Sequence, residues 1–167
     1  LIPFALAALA LVYPGCTFWA TDQSHIAVRM TACTAALNKL ENILVLPENE
    51  LLSWPSERYD CAVIDLPKGR RLLQRWLVQA FYGLKTGGTL YLAGANDLGI
   101  QAAVKDAQQL FSRGAILGYK KGNRVLRCIK KSPQHPEVDW AGEAGIRPDS
   151  WIEHRLRPAI DAYDFGR

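Results

Sequence analysis

The sequence predicts an α/β fold, with a mainly parallel sheet, helices on both faces and an antiparallel terminal hairpin. Three observations carry this. Segments with helical apolar spacing alternate with short runs of β-formers across residues 1–131. The strand-like runs, such as Ile43-Leu-Val-Leu46, are continuously apolar, as in strands buried on both faces. The last two runs have no helix between them, which predicts an antiparallel edge strand.

The elements follow in order. Leu1 to Val12 carries seven large apolar residues and four alanines and predicts a buried helix, with Pro3 tolerated in its first turn. A secretory leader is the rival reading, but no basic residue precedes Arg29. Tyr13-Pro-Gly15 turns the chain into a short strand over Cys16–Thr21, closed by Asp22. Ser24 can cap a helix reaching Leu40, with Ile26, Met30, Cys33 and Leu37 predicted inward. A strand over 43–46 and the polar loop Pro47-Glu-Asn-Glu50 lead to a second apolar strand, Tyr59–Ile64, ending at Asp65-Leu-Pro-Lys-Gly69. Leu72–Leu84 predicts a helix, Lys85–Gly88 a turn that uses two glycines, and Thr89–Ala93 a strand. A helix over Gly99–Phe111 precedes strands at Ala115–Tyr119 and Arg124–Ile129, with Gly122-Asn123 predicted as the hairpin turn.

Composition narrows the classes. The chain has 167 residues, 49% of them apolar and 22% charged, which excludes a disordered chain, a collagen-like repeat and a coiled coil. Its longest apolar run, 1–13, is shorter than the roughly 20 residues a membrane helix needs. Four widely spaced cysteines and three isolated histidines predict no metal site, no disulfide framework and no hydrolase triad. Reduced thiols are the simpler reading and predict a cytoplasmic protein. From Ser132 onward, four prolines punctuate the chain and acids outnumber bases, so 132–167 reads as a linker or the lead-in to another domain.

Charge is uneven. Lys68 to Lys131 holds 13 Lys/Arg against two acids, a net of +11, while the remainder nets −7. Such a segment suits a phosphate-bearing partner or, equally, a set of solvated helix faces.

Several motifs together resemble a known family. A strand ends in Asp22, a later one in Asp65-x-Pro67, and Leu84-Lys-Thr-Gly-Gly-Thr-Leu-Tyr-Leu92 enters the next. These resemble the class I S-adenosylmethionine-dependent methyltransferases, whose sheet is Rossmann-like. The stretch 88–130, with Leu90-Tyr-Leu-Ala-Gly-Ala-Asn-Asp97 and Tyr119-Lys-Lys-Gly-Asn-Arg-Val125, is similar to the small-subunit rRNA guanine-N2 methyltransferases with tandem domains. It is most like their amino-terminal domain. The resemblance implies a methyltransferase-like domain over 1–131, with the first strand and glycine-rich loop preceding Leu1. The sheet would then want its central strand. It further implies rRNA as partner and a second methyltransferase domain linked through 132–167.

The resemblance also assigns roles. Asp22 would accept the cofactor's ribose hydroxyls, or simply cap the following helix. Glu48 and Asn49 would lie near the adenine, or be ordinary loop residues. Asp65 and Pro67 stand where amino-directed members carry Asn/Asp-Pro-Pro-aromatic, a motif that orients an exocyclic amine and stacks the base. Leu66 and Lys68 depart from it. Lysine cannot stack, though it can contact phosphate. Lys68, Arg70, Arg71 and Arg75 after that loop, with Lys120, Lys121 and Arg124 on the hairpin, would form an RNA-positioning surface or a solubilising fringe. Two alternatives remain: a catalytically silent relative that binds RNA or supports a catalytic domain, and a nucleotide-binding Rossmann domain. Either active reading expects Asp22 and Asp65 at neighbouring tips of one sheet.

Overall fold

The structure is a computed structural model that describes residues 2–47, 57–111, 114–133 and 138. The chain divides into two compact units, Leu1–Ser53 and Trp54–Arg167. Their elements follow the predicted alternation of helix and strand throughout.

The first unit holds α1 (Ile2–Val12), β1 (Phe18–Asp22), α2 (His25–Leu37) and β2 (Ile43–Pro47). β1 and β2 pair in parallel from Phe18↔Ile43 to Asp22↔Pro47. The Asn42 side-chain amide donates to the carbonyls of Ala10 and Cys16, both at 3.1 Å, and ties the end of α1 to the start of β2. Two expectations fail here. α1 is not buried all round: it packs through Leu6 and Ala10, while Phe4, Leu11 and Val12 are exposed. The predicted inward stripe of α2 faces out, with Ile26 72% and Leu37 84% exposed. Its packed side is Thr31 and Ala35 instead. Small side chains let the helix lie close against a sheet of two strands, and proximity outweighs the size of the apolar stripe.

The second unit holds β3 (Tyr59–Asp65), α3 (Arg70–Gly83), β4 (Leu84–Ala95), α4 (Ile100–Leu110), β5 (Ala115–Lys120) and β6 (Asn123–Ile129). Its sheet has the order β3-β4-β6-β5. β3 and β4 are parallel, and β6 runs antiparallel to both its neighbours. The antiparallel strand is therefore interior, not at the edge as expected. Burial explains this: Leu126 and Cys128 of β6 are fully buried, whereas every residue of β5 is exposed. The core lies between this sheet and α3 and α4, built on Leu77, Phe81, Leu90, Leu92, Ile100 and Leu126. Val138 also packs against it, so the chain still touches the core past the expected boundary at 131.

Two turns differ from expectation. Lys85–Gly88 is a bulge inside β4, between the pairs Tyr59↔Leu84 and Cys61↔Thr89. Gly87, at φ +88°, supplies the bend. Lys130, only 1% exposed, secures it: its Nζ donates to the Leu84 carbonyl at 2.7 Å and sits 4.7 Å from the Phe81 ring centroid. A buried ammonium needs such partners. The hairpin turn is Lys121-Gly122, at φ +48° and +78°, one residue earlier than expected. Two successive left-handed residues make a type I′ turn, whose twist matches the strands.

The expected single sheet is two sheets, one of two strands and one of four. Among the described residues no strand pairs with the second edge of β1 or of β3. No helix among them is long and apolar enough to cross a membrane.

Burial predicts thiol behaviour. Cys16, Cys33 and Cys61 are exposed, while burial pushes the Cys128 thiol up to about 11. In the native protein three thiols should react with a disulfide reagent, and Cys128 only on unfolding. A buried neutral thiol stabilises the fold below its unfolded pKa of about 8.5, a contribution lost as pH rises toward 11. Equilibrium unfolding of wild type and Cys128→Ala between neutral and alkaline pH checks the sign.

Candidate functional site

Register brings the sequence-predicted residues of the second unit to one rim. Asp65 ends β3 opposite Ala93 of β4, and β4 in turn pairs Gly94 with Arg124 and Ala95 with Asn123. Because β6 is antiparallel, the Lys121-Gly122 turn lies at the carboxyl end of β3 and β4. Asp65 and Arg124 are thus two strand spacings apart along the backbone, roughly 10 Å, but Asp65 shares its face with Ala93 and Val125, so strand alternation sets it on the opposite face from Arg124 and Tyr119.

The Asp65 loop is held from beneath. Leu66 donates its N–H to the Ala93 carbonyl at 2.8 Å, and its side chain is part of the core. A Cβ on Gly94 would come within 2.5 Å of the Leu66 Cβ, so glycine is what admits this side chain. Asp65 is exposed and Pro67 half-buried. Leu66, Pro67 and Arg70 face Leu98, Gly99 and Ala102, at the start of α4, across a cavity of about 120 Å³.

The four basic residues after Asp65 are not equivalent. Arg70 holds Asp106 through two hydrogen bonds, Nε at 2.9 Å and Nη2 at 2.8 Å, while Gln74 donates to the same carboxylate at 3.3 Å. Asp106 is 1% exposed, so this pair anchors α3 to α4. Hydrogen bonding and charge from Asp106 raise the Arg70 pKa further. Lys68 and Arg71 are exposed, and Arg75 is half-buried with a partner of its own.

The hairpin carries a second arrangement. Asn96, just past β4, accepts from Arg124 Nε at 3.2 Å and donates to the Tyr119 hydroxyl at 3.5 Å. Its N–H donates to the Gly122 carbonyl at 2.8 Å. The Arg124 guanidinium lies 5.2 Å from the Tyr119 ring centroid. Lys120 and Lys121 are exposed at the turn. Lys121 adopts a left-handed conformation that costs about 1 kcal/mol for a residue with a Cβ. Arg127 faces the opposite side of the sheet by strand alternation and does not join this group. The sequence alone does not single out Asn96 or Tyr119. Correct placement of the hairpin turn, which sets Tyr119 opposite Arg124, is the signal that finds Tyr119.

In the first unit, Asp22 ends β1 half-buried and accepts the Ser24 N–H at 2.8 Å. Ser24 is itself the N-cap of α2, its hydroxyl accepting from Ala27. Asp22 therefore steadies the cap through one carboxylate oxygen. The buried hydroxyl of neighbouring Thr21 has no hydrogen-bond partner among the described residues. Glu48 and Asn49 lie outside the described residues. Asp22 and Asp65 belong to different sheets, not to one as expected.

No protein-family model and no curated protein matches the chain. Solved structures do. A 16S rRNA guanine-N2 methyltransferase from T. thermophilus, solved with S-adenosylmethionine and guanosine, is 25% identical at a TM-score of 0.58. The match covers 72% of this chain and 31% of that one, so this chain spans about a third of that protein. A methyltransferase from Pyrococcus furiosus matches at 16% identity and TM-score 0.58, covering 75% of this chain and 70% of that one. A SAM-dependent methyltransferase from Aquifex aeolicus matches at 14% and 0.53, covering 68% and 69%. The fold matches the class I S-adenosylmethionine-dependent methyltransferases. At such low identity, the last two show shared architecture alone.

Two outcomes test the geometry. Gly94→Ala should destabilise the protein by about 1–3 kcal/mol through overpacking against Leu66, read from the urea midpoint. Arg70→Ala should lower that midpoint, because it leaves the buried Asp106 carboxylate short of donors, whereas Arg71→Ala should leave it in place.

Proposed function

We infer that this chain is a methyltransferase domain of an rRNA guanine-N2 methyltransferase, cytoplasmic, and that the carboxyl rim of the second sheet positions the RNA. The observation that carries the reading is that Asp65-x-Pro67 and the Lys121-Gly122 turn stand at the same end of that sheet. The likeness to a guanine-N2 enzyme solved with S-adenosylmethionine and guanosine supports it.

The residues suit the chemistry. An exocyclic amine is a poor nucleophile until its lone pair is aimed at the reacting carbon. Asp65, exposed at the end of β3 and followed by buried Leu66, would accept a hydrogen bond from that amine, and Pro67 would stiffen the backbone beside it. The cofactor supplies a methyl group activated on a sulfonium. The donor set at the end of β1 fits its ribose: one oxygen of Asp22 is committed to Ser24, which leaves the other for a hydroxyl. Glu48 and Asn49 would serve the adenine. Lys68, Arg71, Lys120, Lys121 and Arg124 would take phosphates, with Arg75 behind them and Arg70 acting mainly through Asp106. Residues 132–167 would lead into a linked second methyltransferase domain.

One observation favours a second reading. Leu66 is a core residue and Lys68 a solvated cation, so the loop lacks the aromatic that would stack the target base. A catalytically silent domain that holds RNA for a linked catalytic domain fits this departure.

Calorimetry separates the two. An active domain should bind S-adenosylmethionine, with the affinity abolished in Asp22→Ala, and give no heat with NADH. A silent one should give no heat with S-adenosylmethionine yet still bind rRNA. In either case, reversing Arg71, Lys120 and Lys121 to Glu should weaken rRNA binding and flatten its dependence on salt, by about 0.7–0.9 in slope for each phosphate no longer neutralised. Unchanged affinity would exclude the RNA-positioning rim.

A further inference from the structure

The hairpin cluster at Tyr119 has no role in packing the core. β5 is an edge strand with all six residues exposed, and Tyr119 is 63% exposed. Among the described residues of the second unit it is the only exposed aromatic. An exposed ring at a strand edge is ordinarily free to change rotamer. This one is braced: the Arg124 guanidinium lies against its face, and Asn96 donates to its hydroxyl. Asn96 also holds Arg124 and the Gly122 carbonyl, so one side chain and its backbone fix ring, guanidinium and turn together.

The surroundings select a ligand. Lys120 and Lys121, both exposed, follow Tyr119 in the chain, at the end of β5 and in the turn. Lys121 stands at a left-handed turn position where Asn, Asp or Gly is the usual residue. Strained positions of this kind concentrate where function requires the side chain. A flat π-surface beside two cations matches a nucleobase and its phosphates, since every base presents a π-face and stacking tolerates any sequence. Duplex edges are closed to such a ring, whereas an unpaired base can be splayed onto it.

We propose that Tyr119, braced by Arg124 and Asn96, is a stacking platform for an unpaired nucleobase of RNA, with Lys120 and Lys121 holding the adjoining phosphates. This rests on the RNA-positioning role given to the rim and adds a base-binding residue to it. Arg124 occupies one face of the ring, and the base takes the other.

The test uses the full chain and a short single-stranded oligoribonucleotide carrying 2-aminopurine, whose fluorescence is quenched on stacking. Tyr119→Ala should weaken binding roughly ten-fold, the middle of the range for one stacked base, and abolish the quenching with the salt slope unchanged. Tyr119→Phe should keep both affinity and quenching, which excludes a general loss of fold. Lys120→Ala with Lys121→Ala should lower the slope by about 0.7 for each phosphate released and retain the quenching. If Tyr119→Ala binds and quenches like wild type while the lysine variant weakens, the platform is wrong and the RNA-binding rim stands. If the wild-type chain binds no RNA, both fall. Quenching that follows Tyr119 with a free nucleotide, at no cost from the lysine changes, overturns the assignment to RNA.

Discussion

The placement of β6 between β4 and β5 is the constraint on which the candidate site depends. A parallel β3–β4 pair alone would bring only the Asp65 and Asn96 loops to one end. The chain after α4 skips a strand position to form β5, then returns antiparallel to fill it. The return carries the Lys121-Gly122 turn to the same end as Asp65. Leu126 and Cys128 enforce it, because a strand with fully buried alternate residues cannot sit at an exposed edge without forfeiting that burial. Lys130 closes the other end. Its backbone exchanges hydrogen bonds with Gly87 and Gly88, and its ammonium caps the Leu84 carbonyl, so the bulge in β4 and the end of β6 fix each other's register.

The basic segment divides between structure and surface. Lys130 is interior, Lys85 pairs with Asp60 at 2.7 Å, and Arg70 is committed to Asp106. The Lys85 pair is exposed and contributes little. Arg70 is different: removing it strands a buried carboxylate, so its value lies in holding α3 against α4 and thereby the cavity wall beside Pro67. What remains is a smaller exposed cationic set, Lys68 before α3 and Arg71 in its first turn, Lys120 at the end of β5 and Lys121 in the hairpin turn. Net charge along a sequence overstates the field at a site because it counts partners the fold has already matched.

Much of this architecture was legible in the sequence. The alternation of elements, the strand ends at Asp22 and Asp65 and the closing hairpin all follow from local apolar pattern and turn chemistry, and all are present. What failed was decided by residues distant in sequence. The outward stripe of α2 recurs at spacings of three and four, but its amphipathic contrast is weaker than that of α3 or α4, and periodicity gives a face but not its direction. The interior position of β6 depends on pairing, which short apolar runs do not encode. Misplacing the hairpin turn by one residue hid the Tyr119–Arg124 pair, because moving the turn by one shifts every pairing by two and sets Tyr119 against Leu126. Of the candidate cofactor residues, only Asp22 lies among the described residues, and its bond to Ser24 is the local capping chemistry the sequence also allowed.

The loop after Asp65 shows how a departure from a motif redistributes work. Leu66 fills the core under Gly94, so the backbone at Asp65 is held by packing where a second proline would have held it by stiffness. Lys68 then presents charge in place of a ring. Stacking capacity is found instead at the far side of the rim, on Tyr119 of β5, three strand spacings from Asp65, roughly 14 Å. Tyr119 and Asp65 are separated because β4 and β6 stand between them, and the register of the four strands sets the two side chains on opposite faces of the sheet.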